Sequence, residues 1–464
     1  MDERYAPRMQ IIDPATDQVL DEVSEDTGET LTNKAARALA GQKRWAALPF
    51  AERHATLKRF RDLCLKRASQ LALTLTSEVG KPVAQARNEI KGLLARLEFF
   101  LEHTAAELEP EIVQQTAELE ERIAHEPLGV IANISAWNYP YFVGSNVFVP
   151  ALLTGNAVLY KPSEFATLTG LAIARTLHDA GVPEDVFTPV LGGGAIGEAL
   201  LDQPISGVFF TGSYNTGRQI AIRVAPRLLK TQLELGGKDP VYVANDVDVA
   251  AVAAGVADGA FYNTGQSCCA VERVYVHEEI WEAFLDGFLS AARGFVLGDP
   301  RDPKTYIGAL ARRRPALELL QAQTDDALGK GAKLELGGKR ADRPGWFFEP
   351  TVFTNVSHEM RLMREESFGP IIGLMKVGSD EQALELMTDT DYGLTAAVYT
   401  RERARAERLL SAIPVGSAYW NCCDRVSPKL PWSGRKHSGI GATLSTYGIE
   451  TFTQPKAWHL KNGL

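Results

Sequence analysis

Cysteine is scarce in this sequence: five in 464 residues, at Cys64, Cys268, Cys269, Cys422 and Cys423. An odd count, mostly bunched into two adjacent pairs, excludes the disulfide framework of a small secreted domain and fits a reducing compartment. Also missing is any apolar run near the roughly 18 residues that a membrane span needs. The start, MDERYAPRMQIIDP, has acidic residues and no apolar h-region, so a cytoplasmic protein without a membrane partner is expected. Nor is there a block of Lys and Arg: the net charge is −9 and the charges are spread along the chain, which argues against nucleic acid as a partner. Short-period repeats and low-complexity tracts are absent as well.

What is present suffices for more than one core, with 45% apolar residues and 8% aromatics. From about Thr27 to Thr104 apolar residues recur at three/four spacing in three helical runs, the last two (over 51–81 and from 85) punctuated by Gly80-Lys81-Pro82. After Glu107, charged residues interleave with Ile112, Val113, Leu119 and Ile123 at strand spacing, which predicts an exposed hairpin whose edges need a partner. Between 129 and 300 short β-rich runs such as GVIANIS, AVLYKPS and GVFFTGS alternate with helical runs, the rhythm of βαβ crossovers on a parallel sheet. A second α/β alternation runs from about Val241 to Asn421, so a ligand cleft between two α/β units is expected. The ending, TYGIETFTQPKAWHL, is again strand-like.

Several motifs admit two readings on local grounds. Gly192 to Gly197 is a literal G-x-G-x-x-G, but no acidic residue follows about 20 positions on, and a lone match is more often a turn. Gly212-Ser213-Tyr214-Asn215-Thr216-Gly217 also follows a strand but has the wrong spacing. Lys161 and Glu164 leave a strand end, where they either bind ribose hydroxyls or are solvated charges. Glu234, between two leucines and before Gly236-Gly237, is either an edge-strand acid facing water or a buried carboxylate suited to general-base work. The Cys-Cys pairs lack the C-x₂₋₄-C spacing of a zinc site, so no metal is expected. A cysteine in the turn N263-T264-G265-Q266-S267-C268-C269 is either a nucleophile or a small buried hydrophobe, with neighbouring side chains on opposite faces of an extended chain.

Taken in order, S135-A136-W137-N138-Y139-P140, K161-P162-S163-E164, F210-T211-G212-S213-Y214-N215-T216-G217, L233-E234-L235-G236-G237-K238, G265-Q266-S267-C268, E365-E366-S367-F368-G369-P370, N421 and P431-W432-S433-G434-R435-K436-H437-S438-G439 resemble the NAD(P)-dependent aldehyde dehydrogenase superfamily, of the hydrolytic, non-CoA-acylating type. The resemblance covers nearly the whole chain, and the 34 residues between Glu234 and Cys268 are typical of the family.

The resemblance implies an α/β protein of the aldehyde dehydrogenase fold. It would have a Rossmann-like NAD-binding domain over 1–106 and 126–236, an α/β catalytic domain over 237–431, and a small β oligomerisation element over 107–125 and 446–460, giving a homodimer or homotetramer. It implies Cys268 as nucleophile, with Cys269 on the opposite side of the backbone, Asn138 with the Cys268 N–H as oxyanion donors, and Glu234 as general base. Cofactor contacts would come from Trp137, Lys161, Ser163, Glu164, Gly212, Ser213, Gly217, Leu235, Glu366 and Phe368, with the 192–197 loop nearby. Glu164 would accept from a ribose 2′-OH and repel a 2′-phosphate, favouring NAD over NADP. The expected activity is oxidation of an aldehyde to its acid through a thiohemiacetal and a thioester.

The sequence departs from the family pattern at Ala136 and at Pro431-Trp432-Ser433-Gly434, leaving the chemical groups in place. The expected substrate tunnel is formed by Tyr139, Val143, Asn146, Ser267, Cys269 and the 422–430 loop, a largely apolar and aromatic set suited to neutral aldehydes. Arg425 is the residue that would instead favour an acidic semialdehyde. A non-catalytic NAD-binding or structural relative would share the fold, but intact Cys268, Glu234 and Asn138 argue against it. A CoA-acylating enzyme would typically lack Glu234. Cys422 or Cys423 is placed to join Cys268 or Cys269 on oxidation.

Overall fold

The computed structural model describes residues 7–462. The three/four periodicity resolves into four helices, Gly28–Ala47, Phe50–Lys66, Ala68–Val79 and Val83–Leu108. Thr27 caps the first in a reciprocal box, accepting from Thr30 N while Thr30 Oγ1 accepts from Thr27 N. The single run expected over 51–81 is two helices that meet at Arg67. Gly80 ends the second of these in the left-handed conformation, φ 78°, and Pro82 stands just ahead of the next helix, where a missing N–H leaves no ladder bond unmade. Before the helices lies a hairpin, Arg8–Asp13 with Gln18–Ser24. Its second strand is almost wholly exposed and lacks the alternation that would have revealed it in the sequence.

The first sheet places Gly439–Ile440, Lys230–Glu234, Gly207–Thr211, Val130–Ile134, Ala157–Lys161 and Phe187–Pro189 side by side, all parallel except the first. From Val130–Ile134 the chain winds outward to Phe187–Pro189, then crosses back to lay Gly207–Thr211 on the other side. The winding therefore reverses between Val130–Ile134 and Gly207–Thr211, and a crevice opens beyond the carboxyl ends of those two strands. One leads into Ser135-Ala136-Trp137-Asn138, the other into Gly212-Ser213. The literal glycine motif follows the edge strand instead, to one side of the crevice. Lys230–Glu234 is an interior strand, so Glu234 is not an edge acid.

The second sheet runs Lys333–Leu336, Thr351–Thr354, Ile371–Val377, Arg273–His277, Pro240–Val243, Thr395–Tyr399, Ser417–Trp420, parallel except for the first pair. Period-two alternation fills both its faces: Tyr242, Ala396 and Val398 pack into one core and Val241, Val243 and Ala397 into the other. A third, three-stranded sheet has Leu119–Pro127 at its centre, flanked by Glu111–Gln115 and Thr453–Lys461. The tail expected over 446–460 as strand is first a helix, Ser445–Glu450, and the strand starts at Thr453.

Candidate active site

The stretch before the cysteine doublet is a turn that few sequences tolerate. It follows the carboxyl end of helix Val249–Phe261 and carries three successive left-handed residues, Asn263, Thr264 and Gly265, at φ 52°, 60° and 69°. The interior holds it: Thr264 Oγ1 accepts from Gly308 N at 2.8 Å, Gln85 Oε1 accepts from Asn263 N at 3.0 Å, and Gln266 Oε1 accepts from Ala311 N at 3.0 Å. A Cβ on Gly265 would collide with the Gly369 carbonyl. Strain held in place by surrounding bonds is characteristic of functional turns. The doublet thus sits after a helix C-terminus.

Cys268 emerges partly exposed on a cavity wall, whereas Cys269 is buried beside it. The two thiols do not take opposite faces. The irregular turn sets them against one another, and this contact, together with burial and the nearby Asp424, pushes the Cys269 thiol well above its ordinary value. Cys269 Sγ donates to Asp424 Oδ1 at 3.0 Å, and Ser267 Oγ donates to the same oxygen at 3.3 Å. Burial raises the Asp424 carboxyl to about 7 against those donors.

Asn138 is buried at the end of the first switch strand, and its Nδ2 donates to Gln266 O at 3.2 Å, which ties the amide to the cysteine turn. Glu234 is buried, and burial pushes its carboxyl up to about 7 against the hydrogen bond from Thr443 and the Arg96 charge. Thr443 Oγ1 donates to Glu234 Oε1. Cys268, Asn138 and Glu234 all line one cavity of about 1530 Å³, larger than a site for a single small ligand.

Nearly all of the other expected residues line the same space. Trp137, Lys161, Ser163 and Glu164 stand on one side with Gly212, Ser213 and Leu235. Gly217 is buried behind Leu235, whose side chain a Cβ there would strike, so it supports the wall without forming it. Glu366 and Phe368 line the cavity too. The Glu366 carboxyl rests on the glycine pair, accepting from Gly237 N at 3.1 Å, and burial pushes it up to about 8. A Cβ on Gly236 would collide with it. Phe368 meets Trp137 edge-on at 5.4 Å. Tyr139, Val143, Asn146, Ser267, Cys269 and Arg425 line the opposite end.

The chemistry of these donors suits a dinucleotide. Lys161 is 4% exposed, with Pro162 O at 3.3 Å as its only acceptor among the described residues, so a buried ammonium faces the cavity and can meet ribose hydroxyls. Ser213 caps helix Tyr214–Val224, accepting from Thr216 N at 3.4 Å, and the first N–H groups of that helix open onto the crevice where a pyrophosphate is best stabilised. Gly194 and Gly197 reach the same space from the edge loop.

Two cysteine expectations need correction. Cys423 packs away from the cavity, its Sγ accepting from Tyr399 Oη at 3.3 Å, because Asp424, next in sequence, takes the cavity side. Cys422 does not line the cavity either, and all five cysteines are free.

Asp424, Thr443, Glu89 and Arg96 complete the surroundings and were not legible locally. For Glu89 and Arg96 a signal existed: Gln85, Glu89, Gly92 and Arg96 follow one another at four, three and four residues on helix Val83–Leu108, a polar stripe beside the apolar one at Ala86, Ile90, Leu93, Leu97 and Phe100.

A doubly wound parallel sheet with a crevice at its switch point, joined to a second α/β unit, is the architecture of a nucleotide-binding protein with its ligand at the strand ends. The chain matches the aldehyde dehydrogenase family profile over residues 2–458, and it belongs to that family. It is 35% identical to a succinate-semialdehyde dehydrogenase [NADP(+)] of Deinococcus radiodurans, over 90% of this chain and 88% of that one. It is also 35% identical to a betaine aldehyde dehydrogenase of Cereibacter sphaeroides, over 100% and 95% of the two chains. Among solved structures, an NAD-dependent aldehyde dehydrogenase from Sinorhizobium meliloti superposes with a TM-score of 0.95 at 32% identity, covering 99% of this chain and 92% of that one. An NADP-dependent enzyme of E. coli does so with a TM-score of 0.95 at 30% identity, covering 98% and 95%. The fold is the aldehyde dehydrogenase fold, and the protein is an NAD(P)-dependent aldehyde-oxidising enzyme.

Proposed function

We propose that Cys268 is the nucleophile, Asn138 the oxyanion donor and Glu234 the general base of a hydrolytic aldehyde dehydrogenase. The observation that carries this is their convergence on one cavity from three separate parts of the chain. Cys268 loses its thiol proton to solvent as its sulfur adds to the aldehyde carbon, and the Asn138 side-chain amide and the Cys268 N–H receive the oxygen as it gains charge. Asn138 Nδ2 has two hydrogens, and Gln266 O occupies only one. NAD(P), when bound, supplies the acceptor for the hydride that leaves that carbon, and the carbon remains on Cys268 as a thioester. Glu234, ionised above about pH 7, removes a proton from water as the water attacks the thioester; the acid departs and Cys268 is regained.

NAD is the preferred cofactor in this reading, supported by the Glu164 carboxylate on the cavity wall beside Lys161. A homodimer or homotetramer is supported by the free edges of the three-stranded sheet. No helix among the described residues is long and apolar enough to cross a membrane. The five free thiols support a cytoplasmic location.

The test is NAD(P)H formation from a panel of aldehydes, with and without coenzyme A, on wild type and Cys268→Ala. Turnover independent of coenzyme A and abolished in Cys268→Ala is expected. Strict dependence on coenzyme A would replace hydrolysis by acyl transfer, and full activity of Cys268→Ala would remove the nucleophile assignment.

A further inference from the structure

Of the polar stripe that helix Val83–Leu108 turns toward the cavity, Glu89 is fully engaged: Lys81 Nζ and the Tyr141 N–H both donate to it. Arg96 is not. The residue is 4% exposed; its Nε donates to Asn146 Oδ1 at 2.9 Å and its Nη1 to Gly92 O at 3.1 Å. Among the described residues nothing accepts from Nη2, and no carboxylate lies within 4.0 Å of the guanidinium. Burial pulls Arg96 down only to about 10, so it stays charged at neutral pH. A buried, permanently charged fork without a counter-ion is costly unless something brings one.

Its neighbours supply no ion pair: the charges of Glu89 and Glu234 act on it from beyond 4.0 Å, and Glu89 is already paired with Lys81. Glu234 is held by Thr443 and Asp424 by Cys269 and Ser267, and both carboxyls are protonated up to about pH 7. Arg425, at the same end, is a second cation without an ion pair among the described residues. Two aromatic faces at this end are taken as well. Lys81 Nζ lies 3.6 Å from the Tyr139 ring, Tyr139 stacks on Phe142 at 5.4 Å, and the Arg96 guanidinium carbon lies 4.0 Å from the Phe142 ring. The protein's own cations thus cover an aromatic face that a quaternary ammonium substrate would need.

We propose that Arg96 binds the carboxylate of an aldehyde substrate that is acidic at its far end, an ω-oxo acid. The proposal rests on the aldehyde-oxidising reading and departs from the neutral aldehyde expected from the apolar residues of the tunnel. Arg96 holds the far end through Nη2 while the aldehyde carbon faces Cys268, and Arg425 adds attraction at the same end of the cavity.

The test compares kcat/KM for succinic and glutaric semialdehydes with that for butanal and pentanal, and includes betaine aldehyde. The acid should exceed the neutral aldehyde of equal length by about a hundredfold, the size of one charge-assisted hydrogen bond. Arg96→Met should bring that ratio near unity mainly through KM, and Arg96→Lys should restore part of it. Should Arg96→Met fail to fold, glutarate should still inhibit wild-type pentanal oxidation competitively where the uncharged 1,5-pentanediol does not. A ratio near unity in wild type, an unmoved ratio in folded Arg96→Met, equal inhibition by the diacid and the diol, or preference for betaine aldehyde would each overturn the proposal while leaving aldehyde oxidation intact. No NAD(P)H from any aldehyde would overturn the underlying reading, and the proposal with it.

Discussion

In the proposed role of general base, Glu234 depends on a bond that the family resemblance does not disclose. The carboxyl is buried, and Thr443 Oγ1 donates to it from a segment more than 200 residues further along the chain. That donation stabilises the ionised form and opposes the desolvation that raises the group to about 7. The acidic limb of the pH–rate profile should therefore have its midpoint near pH 7, with activity rising as Glu234 loses its proton. Thr443→Val keeps the shape and removes the donor, so the limb should move to higher pH by roughly one unit, the equivalent of about 1.4 kcal/mol. A limb that stays in place, read from kcat/KM between pH 5 and 9, would separate Thr443 from the base. Cys268, Asn138 and Glu234 were legible because each stands in a short motif. Thr443, Asp424 and Arg96 were not, because their significance lies in what they touch. An arginine on an amphipathic helix ordinarily reads as a solvated charge; only the buried register it shares with Glu89 distinguishes it.

At the level of elements, period and punctuation carried most of the information. Apolar spacing located the long helices, because burial imposes that period directly, and short β-rich runs between helical ones located most parallel strands of both sheets. The N-terminal hairpin escaped since its outer strand buries almost nothing, and the break at Arg67 escaped since no Gly or Pro marks it. The hairpin after Glu107 was readable and carries a consequence of its own. Strand Glu111–Gln115 exposes Ile112 at 52% and Val113 at 63% on a sheet with a free edge, an arrangement that a monomer in water seldom leaves uncovered. Replacing both with lysine should leave the fold intact and lower the molar mass measured by sedimentation equilibrium to that of a smaller assembly. A mass unchanged from wild type, or a wild type that is itself monomeric, would remove the oligomerisation role of this strand.

For the whole molecule, strand order decides which glycine cluster matters. The literal G-x-G-x-x-G follows an edge strand, whereas the irregular Gly212-Ser213 follows a strand at the point where the winding reverses. Motif spacing alone cannot express that difference, because it is a property of the sheet. The crevice also explains how one ligand can join the two α/β units. Its walls draw Lys161, Glu164 and Ser213 from the first sheet's strand ends and Glu366 and Phe368 from the segment leading into a strand of the second. A cofactor that touches both sides should stabilise the molecule as a unit, by about 2.7 kcal/mol at a concentration one hundred times its Kd. Glu164, half-buried beside Ser163, whose Oγ donates to its Oε2 at 3.3 Å, would face a 2′-phosphate with like charge. Thermal unfolding should therefore show a larger rise in Tm with NAD than with NADP at equal concentration. Glu164→Gln should narrow the gap by increasing the NADP shift, since the amide removes the repulsion and keeps an acceptor for the ribose hydroxyl. An NADP shift equal to or above that of NAD in wild type would place cofactor choice in the hands of another residue on this wall.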